Sequence, residues 1–381
     1  MTFERFASQL GKTLDLETSG AKQFLVPSLA YSQTHYGGLG LLRNGIGEDF
    51  CFALGYVERK TAPNAVCGKA GNVHCCAVYH RTSLQLLELF CTLLASPNTL
   101  GFVGRPSAET GSWLEENGPP PGFGVATGRA RIRSVYDIVE QYGPEDPERR
   151  RVAIEMYHAA MRFVWHHEMA HALGGHVSFL SSELGLQSIH EISEEDPTSS
   201  RADDGTRAVL ETRADAGALF TSLLMPKMKG VPQQLQTAIT GTQLVDDALV
   251  ILSIALLGWL WCASTYIASG GSNAALYHWD SHPSSLARVI NLVLRPIALA
   301  DRFPGALRDA MIESVALAST ELLRLADAAQ MFAPFRWLVE PEMYSRLSAE
   351  RLPAGYEETE KRVAFALGFY QFRPASESRA W

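Results

Sequence analysis

The most constraining stretch of this 381-residue chain is His167-Glu168-Met169-Ala170-His171. Two histidines four apart come within reach of one ion on a helix, at about 100° per residue; on a strand they would share a face but stand about 13 Å apart. Neutral imidazoles at that spacing can bind one tetrahedral zinc ion. Glu168 then stands beside the pair, placed to approach a water molecule rather than the metal. There it can take the water's proton as the water attacks a carbonyl. The stretch therefore demands a helix, and a further ligand brought to it from elsewhere.

Local sequence predicts that helix over about 146–173. Asp146 is a candidate N-cap and Pro147 the first helical residue. The run from Val152 to Ala172 is rich in helix formers, and Gly174-Gly175 offers an end or a bend.

A catalytic zinc needs a third protein ligand. His176 lies nine residues after His167, on the opposite face of a continuous helix. Only a sharp break at Gly174-Gly175 would bring it round. The position ten residues after His167 is Val177, so the metzincin spacing is not met. Glu211 is the better candidate. Glu211 and Asp215 fall one turn apart in a stretch of helical composition over about 206–224. Glu211 is expected to complete the zinc shell, with Asp215 accepting a hydrogen bond from the far nitrogen of a ligand histidine. Ala214, Ala216, Gly217 and Ala218 would let this helix pack closely on the first. Alone, such a carboxylate pair reads as a solvated face; the incomplete ligand set upstream gives it a role.

Charge and composition narrow the partners. The formal net charge of -8 argues against a nucleic-acid surface. The first residues carry no secretory signal. The six cysteines are irregularly spaced and read as reduced thiols in a cytoplasmic protein. Cys67, His74, Cys75, Cys76 and His80 could suggest a second, structural zinc. Adjacent cysteines on a strand point to opposite faces, however, so buried free thiols are expected. The stretch 248–268 carries no charge and is long enough to span a bilayer. Ser253, Ser264 and Thr265 interrupt it and Asp246-Asp247 flank it, which favours a buried core helix over membrane association. Residues 188–206 are polar and acidic and are expected to form a solvated loop.

His167-Glu168-x-x-His171 followed by Glu211-x-x-Ala214-Asp215 resembles the gluzincin zinc peptidases. It is most similar to the compact core shared by the CAAX-prenyl and heat-shock membrane metallopeptidases and the phage-exclusion peptidase group. Asn64-Ala65 before a strand at 72–80, and Ser281-His282-Pro283 with Arg288 beyond, follow the same order. Gly175-His176 is similar to soluble members. The resemblance covers about 64–290. Cys67-Gly68-Lys69-Ala70-Gly71 departs from the usual glycine-rich approach to the strand.

The resemblance implies an α+β, mostly helical chain with a zincin-like core. A small sheet would line the cleft with its edge strand, and a helical C-terminal extension would follow. The boundaries it suggests are an N-terminal α+β extension over 1–60, a catalytic domain over 61–295 and the helical extension over 296–381. One Zn2+ would sit on His167, His171 and Glu211, with Glu168 as general base and His282 or Tyr277 donating to the oxyanion. A strand near Val73 to Tyr79 would hold an extended peptide by edge pairing. The expected activity is cleavage of a protein or peptide substrate by a metalloendopeptidase. The alternatives are a zinc hydrolase of another class and a catalytically silent binding protein. Retention of Glu168 argues against silence, because a structural site has no use for a base.

Overall fold

The computed structural model of the chain describes residues 2–16, 22–39, 41–58, 64–112, 121–124, 135–185, 188–190, 204–224, 243–268, 292, 305–328 and 356–374. It begins with helix α1 (Thr2–Leu10), strand β1 (Lys12–Thr13), helix α2 (Lys22–Gly37) and strands β2 (Leu42–Arg43) and β3 (Cys51–Glu58). Strands β4 (Ala65–Ala70) and β5 (Val73–Tyr79) form a hairpin that runs straight into helix α3 (His80–Leu94). Helices α4 (Val135–Tyr142), α5 (Pro147–Leu173) and α6 (His176–Leu184) lead to strand β6 (Ser188–His190). Helices α7 (Asp204–Leu224), α8 (Gln243–Ala268), α9 (Gly305–Ala328) and α10 (Tyr356–Tyr370) follow, and then strand β7 (Arg373–Pro374). The fold is α+β and mostly helical.

One five-stranded sheet has the order β1-β3-β5-β4-β6. Strands β3 and β5 run parallel, and the other neighbours are antiparallel. This corrects one expectation. Val73–Tyr79 is a central strand, paired with β3 on one side and β4 on the other, so it offers no edge to a peptide. The reason is β3, which lies in a stretch that reads as irregular yet pairs with β5 from Cys51 to Val57. Beyond β4 the sheet continues to β6, where Ser188, Ile189 and His190 pair with Gly68, Cys67 and Val66. The start of the expected acidic loop is therefore sheet, and residues 191–203 lie outside the described residues.

Alternation along the strands divides the core. Cys75, Ala77 and Tyr79 face α1, packing with Phe6 and Ala7. Cys67, Cys76 and Val78 face the main core with α5. All six cysteines are free thiols.

Helix α5 runs through that main core. Asp146 caps it, accepting from the backbone N–H of Glu148 and Arg149 at 3.0 and 3.1 Å. Because α5 packs on the sheet and on α2, α3, α7 and α8, it is apolar on most of its circumference. Helix α8 contains the apolar stretch: 94% of its window Asp247–Ser264 is buried, against α5 and α9. The Ser253 and Ser264 hydroxyls donate back to the carbonyls of Leu249 and Leu260, which removes their polar cost.

Arg149, fully buried in the first turn of α5, ties down the loop after α3. Its five N–H groups donate to the carbonyls of Leu94, Ser96, Thr99, Leu100 and Val103 at 2.7–3.2 Å. Glu109 stands 3.6 Å from its Nε. The rigid guanidinium fork satisfies a run of buried carbonyls that has no ladder of its own. It also explains how Leu100 is held at φ +43°, a region that L-residues avoid. Arg149→Met is expected to lower unfolding free energy by about 3–5 kcal/mol, by leaving the buried Glu109 charge without its cation and removing the guanidinium donors from the carbonyls. Urea unfolding of the two proteins checks this; a loss below about 1 kcal/mol would show the loop to be self-supporting.

Candidate metal centre

His167 and His171 lie one turn apart on α5, and Glu211 and Asp215 one turn apart on α7. The helices pack closely: a Cβ added at Gly217 would meet Ala170 Cβ at 3.3 Å. Buried Ala214 and Ala218 leave the same room along the seam. Small residues on α7 thus bring its carboxylates against the histidines of α5.

The result is a compact group. His167 Nε2 lies 3.0 Å from His171 Nε2 and 3.1 Å from Glu211 Oε2, and His171 Nε2 lies 3.5 Å from Glu211 Oε1. His167, Glu168, His171 and Glu211 are each 1% exposed. Bonds of about 2.0–2.1 Å to a tetrahedral ion would put neighbouring ligand atoms about 3.3 Å apart, close to this spacing.

The outer ring nitrogens are also engaged. His167 Nδ1 lies 2.9 Å from Asp215 Oδ1, and His171 Nδ1 lies 2.9 Å from His176 Nδ1. With the carboxylate this close, a proton is favoured on His167 Nδ1, and that tautomer leaves Nε2 with a bare lone pair. A proton on His171 Nδ1, shared with His176, does the same for His171. Burial first, and then the neighbouring His171, hold the His176 pKa well below its ordinary value, so this ring is a neutral acceptor. Two nitrogen lone pairs and a carboxylate then converge on one buried point, an arrangement that repels itself unless a cation lies between them. The donor set therefore fits a metal ion, and His167, His171 and Glu211 could hold one.

His176 reaches its place through the Gly174-Gly175 break. Gly174 ends α5 in the right-handed region, and Gly175 at φ +73° turns the chain into α6. That turn brings His176 round to the back of His171 rather than to the point where the three ligand atoms meet. Its role as a partner of His171 is not one that sequence spacing assigns; the double glycine was the only sign of it.

Glu168 points to a different side of α5, toward β4. Its charge adds to burial and to the neighbouring Cys76 in pushing up the Cys67 thiol. Cys76 Sγ lies 3.6 Å from Cys67 Sγ and 3.8 Å from Met169 Sδ, so soft sulfur groups of α5 and the sheet meet there. No second group of potential metal ligands occurs among the described residues, and His74, Cys75 and His80 stay apart from the centre.

The remaining histidines of α5 serve packing. His158 Nδ1 lies 2.9 Å from Ser28 Oγ, and His166 Nδ1 lies 2.6 Å from Tyr36 Oη, both across the seam with α2. Burial first, with Arg162 near both rings and His35 near His166, lowers their pKa values to about 4 and about 3, so they stay neutral. Tyr277, His282 and Arg288 lie outside the described residues. Compared with protein-family models, curated proteins and solved structures, the chain gives no match.

Proposed function

We propose that this chain is a zinc-dependent hydrolase of the gluzincin type that cleaves peptide bonds. The observation that carries the reading is Glu168, a buried base kept beside a His-His-Glu group that fits a metal ion. A group built only to stabilise the fold has no need of that carboxylate. Zinc suits the donor set, two imidazoles and one carboxylate, and when bound it would polarise the scissile carbonyl and make water acidic.

The chain's own residues do the rest. His167, His171 and Glu211 hold the ion. Asp215 and His176 fix the two rings in the tautomer that leaves Nε2 free for it. Glu168 takes a proton from the attacking water on a carboxylate oxygen and delivers it to the leaving amine. The buried surroundings strengthen every charge interaction in that transfer. An extended substrate would pair with β6, the strand beyond β4, since β5 is engaged on both sides.

The test is metal content and proteolysis of the purified chain, measured together. About one zinc per chain is expected, with cleavage in a mixed peptide library that stops on chelation and returns with zinc. Absence of bound zinc, or cleavage indifferent to the chelator, would overturn the reading.

A further inference from the structure

The stretch from α10 into β7 folds over the break between α5 and α6. Phe372 N–H donates to the carbonyl of Leu173, the last residue of α5, at 2.9 Å. A Cβ on Gly175 would lie 2.2 Å from Tyr370 O, so the strap's backbone rests directly on the residue that turns the chain. The Tyr370 hydroxyl donates to Glu183 Oε1 at 3.1 Å, and its ring meets Phe179 at 5.9 Å; both partners are on α6.

The strap is itself anchored. Gly45 N–H donates to the carbonyl of Phe369 at 2.8 Å, and β7 pairs with β2. The Phe372 ring sits between Phe50 and His74, with centroids 5.0 and 5.2 Å away. His176 is the first residue of α6, whose nine residues are too few to set their own direction. Whatever clamps α6 decides where His176 points.

We infer that Tyr370 and Phe372 are positioning residues for the metal centre, holding the Gly174-Gly175 turn so that His176 orients His171. This rests on the metal reading above. The strap meets the turn and α6, so it acts through the turn and then through one imidazole.

A double-mutant cycle on zinc affinity tests it. Zinc binding to the full chain is measured by chelator competition for wild type, Phe372→Ala, Tyr370→Ala, His176→Ala and both double variants, with circular dichroism confirming the fold. Phe372→Ala is expected to weaken zinc about tenfold, within the range for groups that support a ligand. Tyr370→Ala should act in the same direction. On the His176→Ala background each change should cost less than about twofold, because the group they act through is gone. Bound Co2+ should also show altered visible bands in the single strap variants. An equal loss on both backgrounds would mean general loosening and would overturn the inference, as would wild-type affinity in both strap variants. Should Phe372→Ala unfold, Tyr370→Ala, at a partly exposed position, decides the question by the same criterion. A wild type without zinc would instead sink the metal reading itself.

Discussion

Replacing Glu168 with glutamine is expected to leave zinc bound and to remove peptide cleavage. Glutamine matches glutamate in size and keeps hydrogen-bonding capacity, so the buried surroundings need not shift. Glu168 is not among the three residues whose ligand atoms meet. What is lost is the ability to accept a proton. General-base assistance is worth about 10²–10⁴-fold, so kcat/KM should fall by about 10³ or more. The measurement is turnover of the best library peptide, with zinc determined on the same sample. Undiminished cleavage would remove Glu168 from the chemistry. Loss of zinc would turn it into a structural residue.

The second large effect is on metal retention. Glu211→Ala removes one of three ligands and leaves two imidazoles facing each other, so zinc should be largely lost. Asp215→Ala and His176→Ala leave all three ligands in place and remove only support, for which about 10–100-fold is typical. Chelator competition on the three variants should therefore rank Glu211 well below the other two. If His176→Ala proves the most damaging, the third ligand is His176 and the chain rearranges around the double glycine on binding.

Legibility in the sequence followed the range of the interactions. Asp146, Pro147 and the histidine pair are local signals, each contained within a turn of helix, and the helix begins and ends where they place it. Glu211 and Asp215 were readable because their own spacing is local, although what they meet is not. Pairings between distant stretches left little trace. Strand β3 carries no clean alternation, because its core-facing run Leu54–Val57 is buried without interruption. Its parallel partnership with β5 depends on the whole sheet. Arg149 looks like one more charged residue in Glu148-Arg149-Arg150-Arg151, and only the folded loop shows that it alone is swallowed. The strap is less visible still, since Tyr370 meets Gly175, and Phe372 meets Leu173, through backbone atoms.

The pairing of β2 with β7 joins stretches far apart in the sequence, Leu42–Arg43 with Arg373–Pro374. Closing so long a loop is entropically costly, and contacts of that separation form late. A nascent chain can build the histidine helix and its carboxylate partner well before residue 374 has been synthesised. On the strap inference, the support behind His171 arrives only once residues 370–374 have been made and have folded back. If the proposed metal reading holds, a nascent polypeptide that has not yet reached the strap would hold its ion more loosely than one in which the strap has folded.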